Sequence, residues 1–226
     1  MQQPLGVLDP KKWDDGRPCV VIGGGPSLIP WKQKLWNLYQ KYWVVAVNDS
    51  CWNTYFPDAI VTLDHTWVAK NLEKFSDGFK QFPGPVIAAV DESNPRLPSE
   101  NLTYLHRLHR SGLNDHARLS ENPKELINGM NSGHAGLQVA YLKGAKEIYL
   151  LGFDFKEIDD KTHFHSSYAW HNRSSSRHLY LKWAEAFKWT VPQLTAAKVQ
   201  VFNGSPDSAL TVFPHKPYEE IFSPWP

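Results

Sequence analysis

Glycine-rich and polar residues stand directly after several short apolar segments of this chain, where they suit contact with a phosphorylated ligand. The apolar segment 19–22 is followed by the run Gly23, Gly24, Gly25, Pro26 and Ser27. Glycines let backbone N–H groups approach a phosphate, and the N-terminus of a following helix favours its negative charge. The run is neither a complete GxGxxG nor a Walker A sequence, so a purely structural turn is the alternative. We expect nucleotide contact here, which a side chain at Gly25 would block.

Three carboxylates occupy similar positions, at or just after the ends of apolar segments: Asp49, Asp64 and Asp154. They could hold Mg²⁺ beside a nucleotide, accept hydrogen bonds from ribose hydroxyls, or cap helices. Asn48 and His65 adjoin two of them and are further candidate contacts. The residues alone leave all three roles open.

A second turn, formed by Asn131, Ser132 and Gly133, precedes a segment of small residues with helical spacing. Ser132 is either the N-cap of that helix or a nucleotide contact. Gly152 and Phe155 flank the third carboxylate and belong to the same candidate site.

Four histidines crowd one polar stretch and the helix predicted after it: His163, His165, His171 and His178. We favour a single histidine acting as general base, because imidazole titrates near neutral pH. A transition-metal site built on the His-x-His pair is the alternative. His171 lies just before the predicted helix and is the preferred base.

These residues need strands that end together at one edge of a sheet. Apolar, β-branched segments alternate with segments whose apolar residues have helical spacing. This alternation predicts βαβ units and a mostly parallel sheet. Ligands of such sheets bind beyond the carboxyl ends of the strands, where the candidate residues fall. We therefore predict a Rossmann-like α/β fold with strands near 19–22, 43–47, 59–63, 85–90, 102–105, 147–151 and 199–202, and helices beginning near 30, 66, 135 and 174.

Three parts are expected along the chain: a lead-in over 1–17, a nucleotide-binding catalytic domain over 18–213, and a proline-rich tail over 214–226 that wraps the surface. The polar, histidine-rich stretch 156–173 looks like a mobile lid over the site.

Composition excludes several classes of protein. The 226 residues carry 24 basic and 23 acidic side chains, a balance that argues against a general polyanion binder. No apolar run approaches about 20 residues and no signal peptide is visible, so neither a membrane span nor secretion is expected. The two cysteines, Cys19 and Cys51, lie in apolar surroundings and are expected to be buried and reduced. This pattern favours a cytoplasmic protein.

Five segments together resemble known enzymes. They are 20–28, 131–133, 146–155, 168–173 and 203–210, and their order resembles that of the single-domain, Rossmann-like bacterial sialyltransferases that use CMP-sialic acid. They equally resemble a related family that includes archaeal 6-hydroxymethylpterin diphosphokinase-like proteins. The resemblance covers most of the chain.

The sialyltransferase resemblance implies a role for each matching residue. Gly25, Pro26 and Ser27 would lie along the nucleotide phosphate, while Asn48, Ser132 and Gly133 would contact the nucleotide or donor sugar. Asp154 and Phe155 would shape the ribose and base pocket, and His171 would deprotonate the acceptor hydroxyl. Further candidate substrate contacts are Asp64, His65, His163, His165 and Tyr168. Independently of the resemblance, aromatic residues near the same edge could stack on a sugar: Trp67, Tyr168 and Trp170.

Two departures from that family bear on the chemistry. Lys156 stands where the sialyltransferases have a tyrosine that steadies the leaving phosphate, and a lysine can supply that stabilisation as a point charge. Asp64, His65 and Thr66 replace an Asn-Pro-Ser turn.

We accordingly expect a glycosyltransferase that moves a sugar from a CMP-sugar-like donor to an acceptor hydroxyl and requires no cofactor. The alternatives are a Mg²⁺-dependent diphosphokinase-like phosphotransferase and a catalytically inert nucleotide-binding module. The sequence indicates no particular oligomeric state.

Overall fold

A parallel sheet forms the centre of the protein. The computed structural model describes residues 2–9, 12–75, 77–109, 118–164 and 173–223, with the backbone alone for residues 173–177. Within these residues the sheet contains β1 (Cys19–Ile22), β2 (Trp43–Val47), β3 (Ala59–Thr62), β4 (Val86–Val90), β5 (Leu102–Leu108), β6 (Glu125–Ile127), β7 (Glu147–Leu151) and β8 (Gln200–Asn203).

The strand order is β6-β5-β4-β3-β2-β1-β7-β8, and all pairs are parallel. The chain runs outward from β1 to β6 and then returns to the other side of β1 as β7. At the carboxyl end of β1, Ile22 therefore lies between Ala46 of β2 and Leu151 of β7. The strand order reverses at this point, which is where doubly wound sheets bind ligands. The Rossmann-like α/β prediction is confirmed.

Helical segments cover both faces of the sheet. They are α1 (His65–Lys74), α2 (Ser132–Leu142), α3 (Arg173–Ala186), α4 (Val191–Ala196), α5 (Tyr218–Ile221), and 3-10 segments at Pro26–Gln40, Asn48–Asn53 and Phe187–Thr190. The segment after the glycine run starts at Pro26 and not near Pro30, because a proline suits a first helical position and needs no N–H partner there. None of the described helices is long and apolar enough to cross a membrane.

The core lies on both sides of the sheet, because successive side chains of a strand point to opposite faces. Val21 and Val45 belong to the core on one face, and Val20 and Val44 to the core on the other. The cysteines Cys19 and Cys51 are free and buried, as expected, and burial raises the pKa of both thiols.

Both ends of the described chain are built into the core. Trp13 of the lead-in is buried and stacks on Trp43, with ring centroids 5.2 Å apart. In the tail, Tyr218 and Ile221 of α5 are buried against the residues that follow β1. The expectation that the tail merely wraps the surface is therefore wrong, since two apolar side chains of α5 contribute to the core.

Candidate functional site

The turns after β1 and β7 are joined by one buried carboxylate. Asp154, three residues after the end of β7, accepts hydrogen bonds from the Ser27 backbone N–H at 2.8 Å and from the Ser27 hydroxyl at 2.6 Å. Burial raises the pKa of Asp154, while the bonds from Ser27 and the charge of Lys156 oppose that rise. A carboxylate at the start of a helical segment is favoured by the exposed N–H groups there. Asp154 thus holds the position in which the sequence predicts a phosphate.

Two further side chains complete this buried network. The Tyr218 hydroxyl accepts a hydrogen bond from the Gly152 N–H at 2.8 Å and lies 2.9 Å from the Ser27 hydroxyl. Ser205, after β8, accepts a bond from the Phe153 N–H at 2.8 Å. Sequence reasoning missed Tyr218, whose only signal was an aromatic residue in a proline-rich tail. The network fixes the ends of β1, β7 and β8 relative to one another.

Gly25 is required here for space. A Cβ atom on Gly25 would lie 2.5 Å from a carboxylate oxygen of Asp154 and 2.6 Å from the carbonyl oxygen of Gly152. The Gly23 and Gly25 N–H groups already donate to the carbonyls of Leu151 and Gly152. The expectation that a side chain at Gly25 would block a phosphate is therefore corrected, because that side chain would first collide with Asp154. Nucleotide contact by the turn stays a prediction.

Asn48 adjoins this turn at the carboxyl end of β2. Its backbone has φ of 50°, in the left-handed region that asparagine tolerates. Its side-chain oxygen is buried and has no hydrogen-bond partner among the residues that the structure describes. The neighbouring Ser50 donates to the Ile22 carbonyl at 2.8 Å and so holds this segment against the end of β1. Asn48 therefore presents an unsatisfied acceptor beside the glycine turn.

The other two candidate carboxylates have structural partners. Asp64 is the N-cap of α1 and accepts from the N–H groups of Thr66 and Trp67. Asp49 accepts from the Trp67 indole N–H at 2.7 Å. Trp67 itself is buried and stacks on Phe79, so its expected role as an exposed sugar platform is wrong.

The described residues fit a Mg²⁺ site poorly. The carboxylates of Asp49, Asp64 and Asp154 already accept hydrogen bonds from other groups of the protein. A cation would have to replace those donors. Among these residues there is also no cluster of three or more potential metal-ligating side chains.

The turn before α2 bridges β3 and β7. Asn131, and not Ser132, is the N-cap, because its side chain accepts from the His134 N–H at 2.9 Å. The Ser132 hydroxyl instead accepts from the Leu63 N–H at 3.0 Å. A Cβ on Gly133 would lie 2.7 Å from the Phe153 ring, so glycine permits the helix to approach β7 closely. The reading of Ser132 as N-cap is wrong.

The first part of the expected lid is anchored. Phe164 is buried, and its N–H donates to the Gly24 carbonyl at 2.9 Å. Ile158 and Lys161 form a two-way backbone pair around a tight turn. Phe164 is therefore an apolar anchor that fixes the end of residues 156–164 beside the glycine turn, and the mobility of the stretch stays a prediction.

The remaining predicted site residues are placed as follows. Phe155 has φ of 49° and packs on Phe153 and Phe187 in the core, and Lys156 next to it is half-buried. His163 forms a 3.0 Å hydrogen bond with the Thr162 hydroxyl. His165, Tyr168, Trp170 and His171 lie outside the described residues.

A second polar cluster, missed by sequence reasoning, lies beyond the ends of β4, β5 and β6. Arg107 binds Asp91 through two nitrogens, and this pairing lowers the pKa of Asp91 to about 2. The His109 ring contacts Asp91 through Nε2 at 2.5 Å and Asn128 through Nδ1 at 3.2 Å. Asp91 directly follows an apolar strand, which is the same signal that identified Asp49. His109 is therefore a half-exposed imidazole oriented by a carboxylate.

The family to which the chain belongs follows from a sequence comparison. Residues 3–160 match the model of a family described as "6-hydroxymethylpterin diphosphokinase MptE-like". The match covers more than half of the chain. The chain belongs to the MptE-like family. This agrees with the resemblance to diphosphokinase-like proteins seen in the sequence.

Two solved structures resemble this MptE-like chain. The MAf glycosyltransferase from Magnetospirillum magneticum AMB-1 superposes with a TM-score of 0.60 at 17% identity, over 98% of this chain and 37% of that one. The chain thus spans about a third of that protein's length. The sialyltransferase CST-II in complex with CMP is also similar, with a TM-score of 0.45 at 17% identity, over 93% of this chain and 89% of that one. A comparison with curated protein sequences finds no significant match.

Proposed function

We propose that this MptE-like protein is a nucleotide-dependent glycosyltransferase whose donor binds at the carboxyl edge of the sheet, between the ends of β1, β2 and β7. Support comes from the topology, which reverses at this edge, and from the glycosyltransferase fold of MAf. The residues proposed for the donor are Gly24, Asn48, Ser132 and Gly133, with Lys156 beside the leaving phosphate.

The single observation that carries the proposal is the unsatisfied side-chain oxygen of Asn48. A buried acceptor without a partner, as the Asn48 oxygen is among the described residues, destabilises a protein by about 1–3 kcal/mol, and a ligand that supplied a donor would remove that cost. A ribose or sugar hydroxyl and an amino group of a base are donors of the required kind.

The chemistry would proceed by direct displacement. The acceptor hydroxyl attacks the anomeric carbon of the donor, and its proton passes to an imidazole nitrogen. The bond between the anomeric carbon and the phosphate oxygen breaks, and the nucleotide leaves with that electron pair. The Lys156 ammonium would stabilise the negative charge that develops on the phosphate. No metal ion is needed to balance this reaction.

His171 is our proposed base, on the strength of the sialyltransferase resemblance, and His109 is its rival. His109 is already oriented by Asp91, as a general base requires, and an acceptor hydroxyl would take the place of Asn128 at Nδ1. We expect His171→Ala to lower turnover by about 10²–10⁴-fold with unchanged nucleotide binding. If His109→Ala has that effect and His171→Ala does not, the base is His109.

A diphosphokinase-like phosphotransferase is the second candidate, and it is favoured by the description of the family. It would require ATP and a divalent cation. The test is a thermal-shift and turnover screen of CMP-, UDP- and GDP-sugars and of ATP with a hydroxymethylpterin, each with Mg²⁺ and with EDTA. Sugar transfer that persists in EDTA supports our proposal. Turnover only with ATP and Mg²⁺ overturns it in favour of the phosphotransferase.

A further inference from the structure

A second concave region lies at the opposite edge of the sheet, where the strands begin. A cavity of about 450 Å³ is bounded there by Trp43 at the start of β2, Ala59 at the start of β3 and Pro85 before β4. Its lining, within the described part of the chain, shares no residue with the candidate transferase site. The volume suits a ligand the size of one or two sugar rings.

Aromatic rings form much of the cavity wall and continue onto the surface. Tyr39 and Phe56 line the cavity and pack edge to face, with ring centroids 5.3 Å apart. Beside them, the rings of Trp36 and Tyr55 are parallel to within 2° and about half exposed. We call Trp36, Tyr39, Tyr55 and Phe56 the aromatic platform. Adjoining exposed aromatic rings of this kind provide apolar faces on which a ligand can stack.

The charged residues of the cavity are balanced. Two cations, Arg17 and Lys143, and two carboxylates, Asp9 and Asp58, line it. The Arg17 guanidinium lies 3.8 Å from the centre of the Trp43 ring and is paired with Asp15. The Lys143 ammonium donates to the Asp9 carbonyl at 3.1 Å. The cavity therefore has no excess charge with which to attract an ionic ligand.

Asp58 provides a polar anchor. One of its carboxylate oxygens accepts from the Val44 N–H at 2.8 Å, and the other makes no hydrogen bond to another described residue. That oxygen can accept a hydrogen bond from a ligand hydroxyl. Beside the aromatic platform, and in a cavity whose charges balance, this arrangement suits an uncharged ligand with hydroxyl groups on its rim and C–H groups on its faces. Carbohydrates combine these two properties.

We propose that the amino-edge cavity and the aromatic platform bind a neutral saccharide. The sugar ring would stack on the platform and donate a hydroxyl hydrogen bond to Asp58. This site is separate from the proposed transferase site, and its occupancy does not depend on the transfer reaction. It would hold a carbohydrate chain at the edge of the sheet where the strands begin, opposite to the carboxyl edge proposed for the donor.

The test uses protein labelled with 5-fluorotryptophan, with signals assigned by Trp→Phe variants and observed by ¹⁹F NMR. Maltotriose, cellotriose and N-acetyllactosamine are the probes, each titrated into the millimolar range. We expect at least one of them to shift the signals of Trp36 and Trp43 in a saturable manner. The signal of Trp189, which is exposed but does not line the cavity, should stay in place.

Two variants assign the binding to this site. Tyr55→Ala removes one of the two stacked, exposed rings, Trp36 and Tyr55. We expect it to weaken saccharide binding by about tenfold, because the loss of one aromatic contact lowers affinity by up to about that factor. Asp58→Asn keeps an acceptor for the Val44 N–H but loses the carboxylate, and should also weaken binding. Trp189→Ala is the matched control, since it removes an aromatic ring of similar exposure elsewhere.

Three outcomes would overturn the proposal. The first is the absence of any saturable shift with the three saccharides. The second is a shift that Tyr55→Ala and Asp58→Asn leave unchanged. The third is concentration-dependent association of the protein alone that moves the Trp36 signal, which would identify the platform as a contact between two copies of the chain. Failure of the transferase proposal would leave these measurements unaffected.

Discussion

Asp154 and Ser27, which lie 127 residues apart in the chain, are joined by two hydrogen bonds at the candidate site. The pair ties the turn after β1 to the segment after β7, across the point at which the strand order reverses. The segment that starts at Pro26 therefore already has an anion at its first N–H groups. A nucleotide phosphate that binds at this edge must use other donors or displace Asp154.

The first prediction concerns the space around this pair. Gly25→Ala should lower the free energy of unfolding by about 3 kcal/mol or more, because the new methyl group meets a carboxylate oxygen and a backbone carbonyl. Gly16→Ala is the control, since Gly16 has open space but φ of +83°, and should cost only about 1–2 kcal/mol of backbone strain. Urea unfolding measures both. Wild-type stability in Gly25→Ala would show that the two turns can move apart.

Two asparagines with left-handed backbones provide a matched test of ligand binding. Asn48→Gly should leave stability unchanged or raise it by up to about 1–3 kcal/mol, because it removes a buried oxygen that has no partner among the described residues, and glycine adopts this left-handed backbone freely. Asn101→Gly should cost about 2–4 kcal/mol, because the Asn101 amide donates to three backbone carbonyls. Asn48→Gly should also abolish stabilisation by nucleotide in a thermal-shift assay. Retained stabilisation by nucleotide in this variant would remove the main support for the donor site.

Asp91 should make the free energy of unfolding depend on pH below about pH 4. Its hydrogen bonds with Arg107 lower the pKa of the folded carboxyl to about 2, below the ordinary value of 3.8. The group therefore contributes stability that is present above pH 3.8 and is lost as the pH falls towards 2. We expect Asp91→Asn to cost about 1–2 kcal/mol at pH 6 and much less near pH 2.5.

The measurement for Asp91 is urea unfolding at those two pH values, with Asp14→Asn as an exposed control. The same loss of stability in Asp91→Asn at both values would argue against a charge effect. In that case the side chain would act through its shape and hydrogen bonds alone.

The tail residue Tyr218 should be a structural part of the site. Tyr218→Phe leaves the buried Gly152 N–H without its acceptor and should lower stability by about 1–3 kcal/mol. Tyr104→Phe is the control, because the Tyr104 hydroxyl makes one hydrogen bond of 3.2 Å. A loss in Tyr218→Phe no larger than in Tyr104→Phe would mean that water replaces the hydroxyl.

The sequence predicts most of the sheet because its strands are short apolar runs with polar ends. It misses β6, since Glu125–Ile127 has only three residues and begins two residues after Pro123. It places Asp154 at the carboxyl edge of the sheet, but it does not predict that the side chain points towards Ser27. That direction depends on Gly25, whose missing Cβ makes room for the carboxylate. Contacts between residues far apart in the chain decide such details, and local patterns carry no information about them.

A polar residue at or just after the end of an apolar run identifies Asn48, which directly follows β2, and Asp64, which lies two residues after β3. Asp64 caps α1, and the ligand contact of Asn48 stays a prediction. Asp91 follows β4 in the same way, but its partners are Arg107 in β5 and His109 directly after β5, and the sequence predicts that this strand ends at residue 105.

The hydroxyl of Tyr218 also sets when the buried hydrogen-bond network at the carboxyl edge can be completed during synthesis. It pairs with Ser27 across 191 residues, so the first turn of the fold waits for the α5 segment during synthesis. At roughly 5–20 residues per second, that wait is about 10–40 s. Until then, Ser27 and the Gly152 N–H lack a shared partner, and the carboxyl edge is unfinished. Translation that ends before Tyr218 would give a chain with its sheet largely encoded but without a completed binding edge.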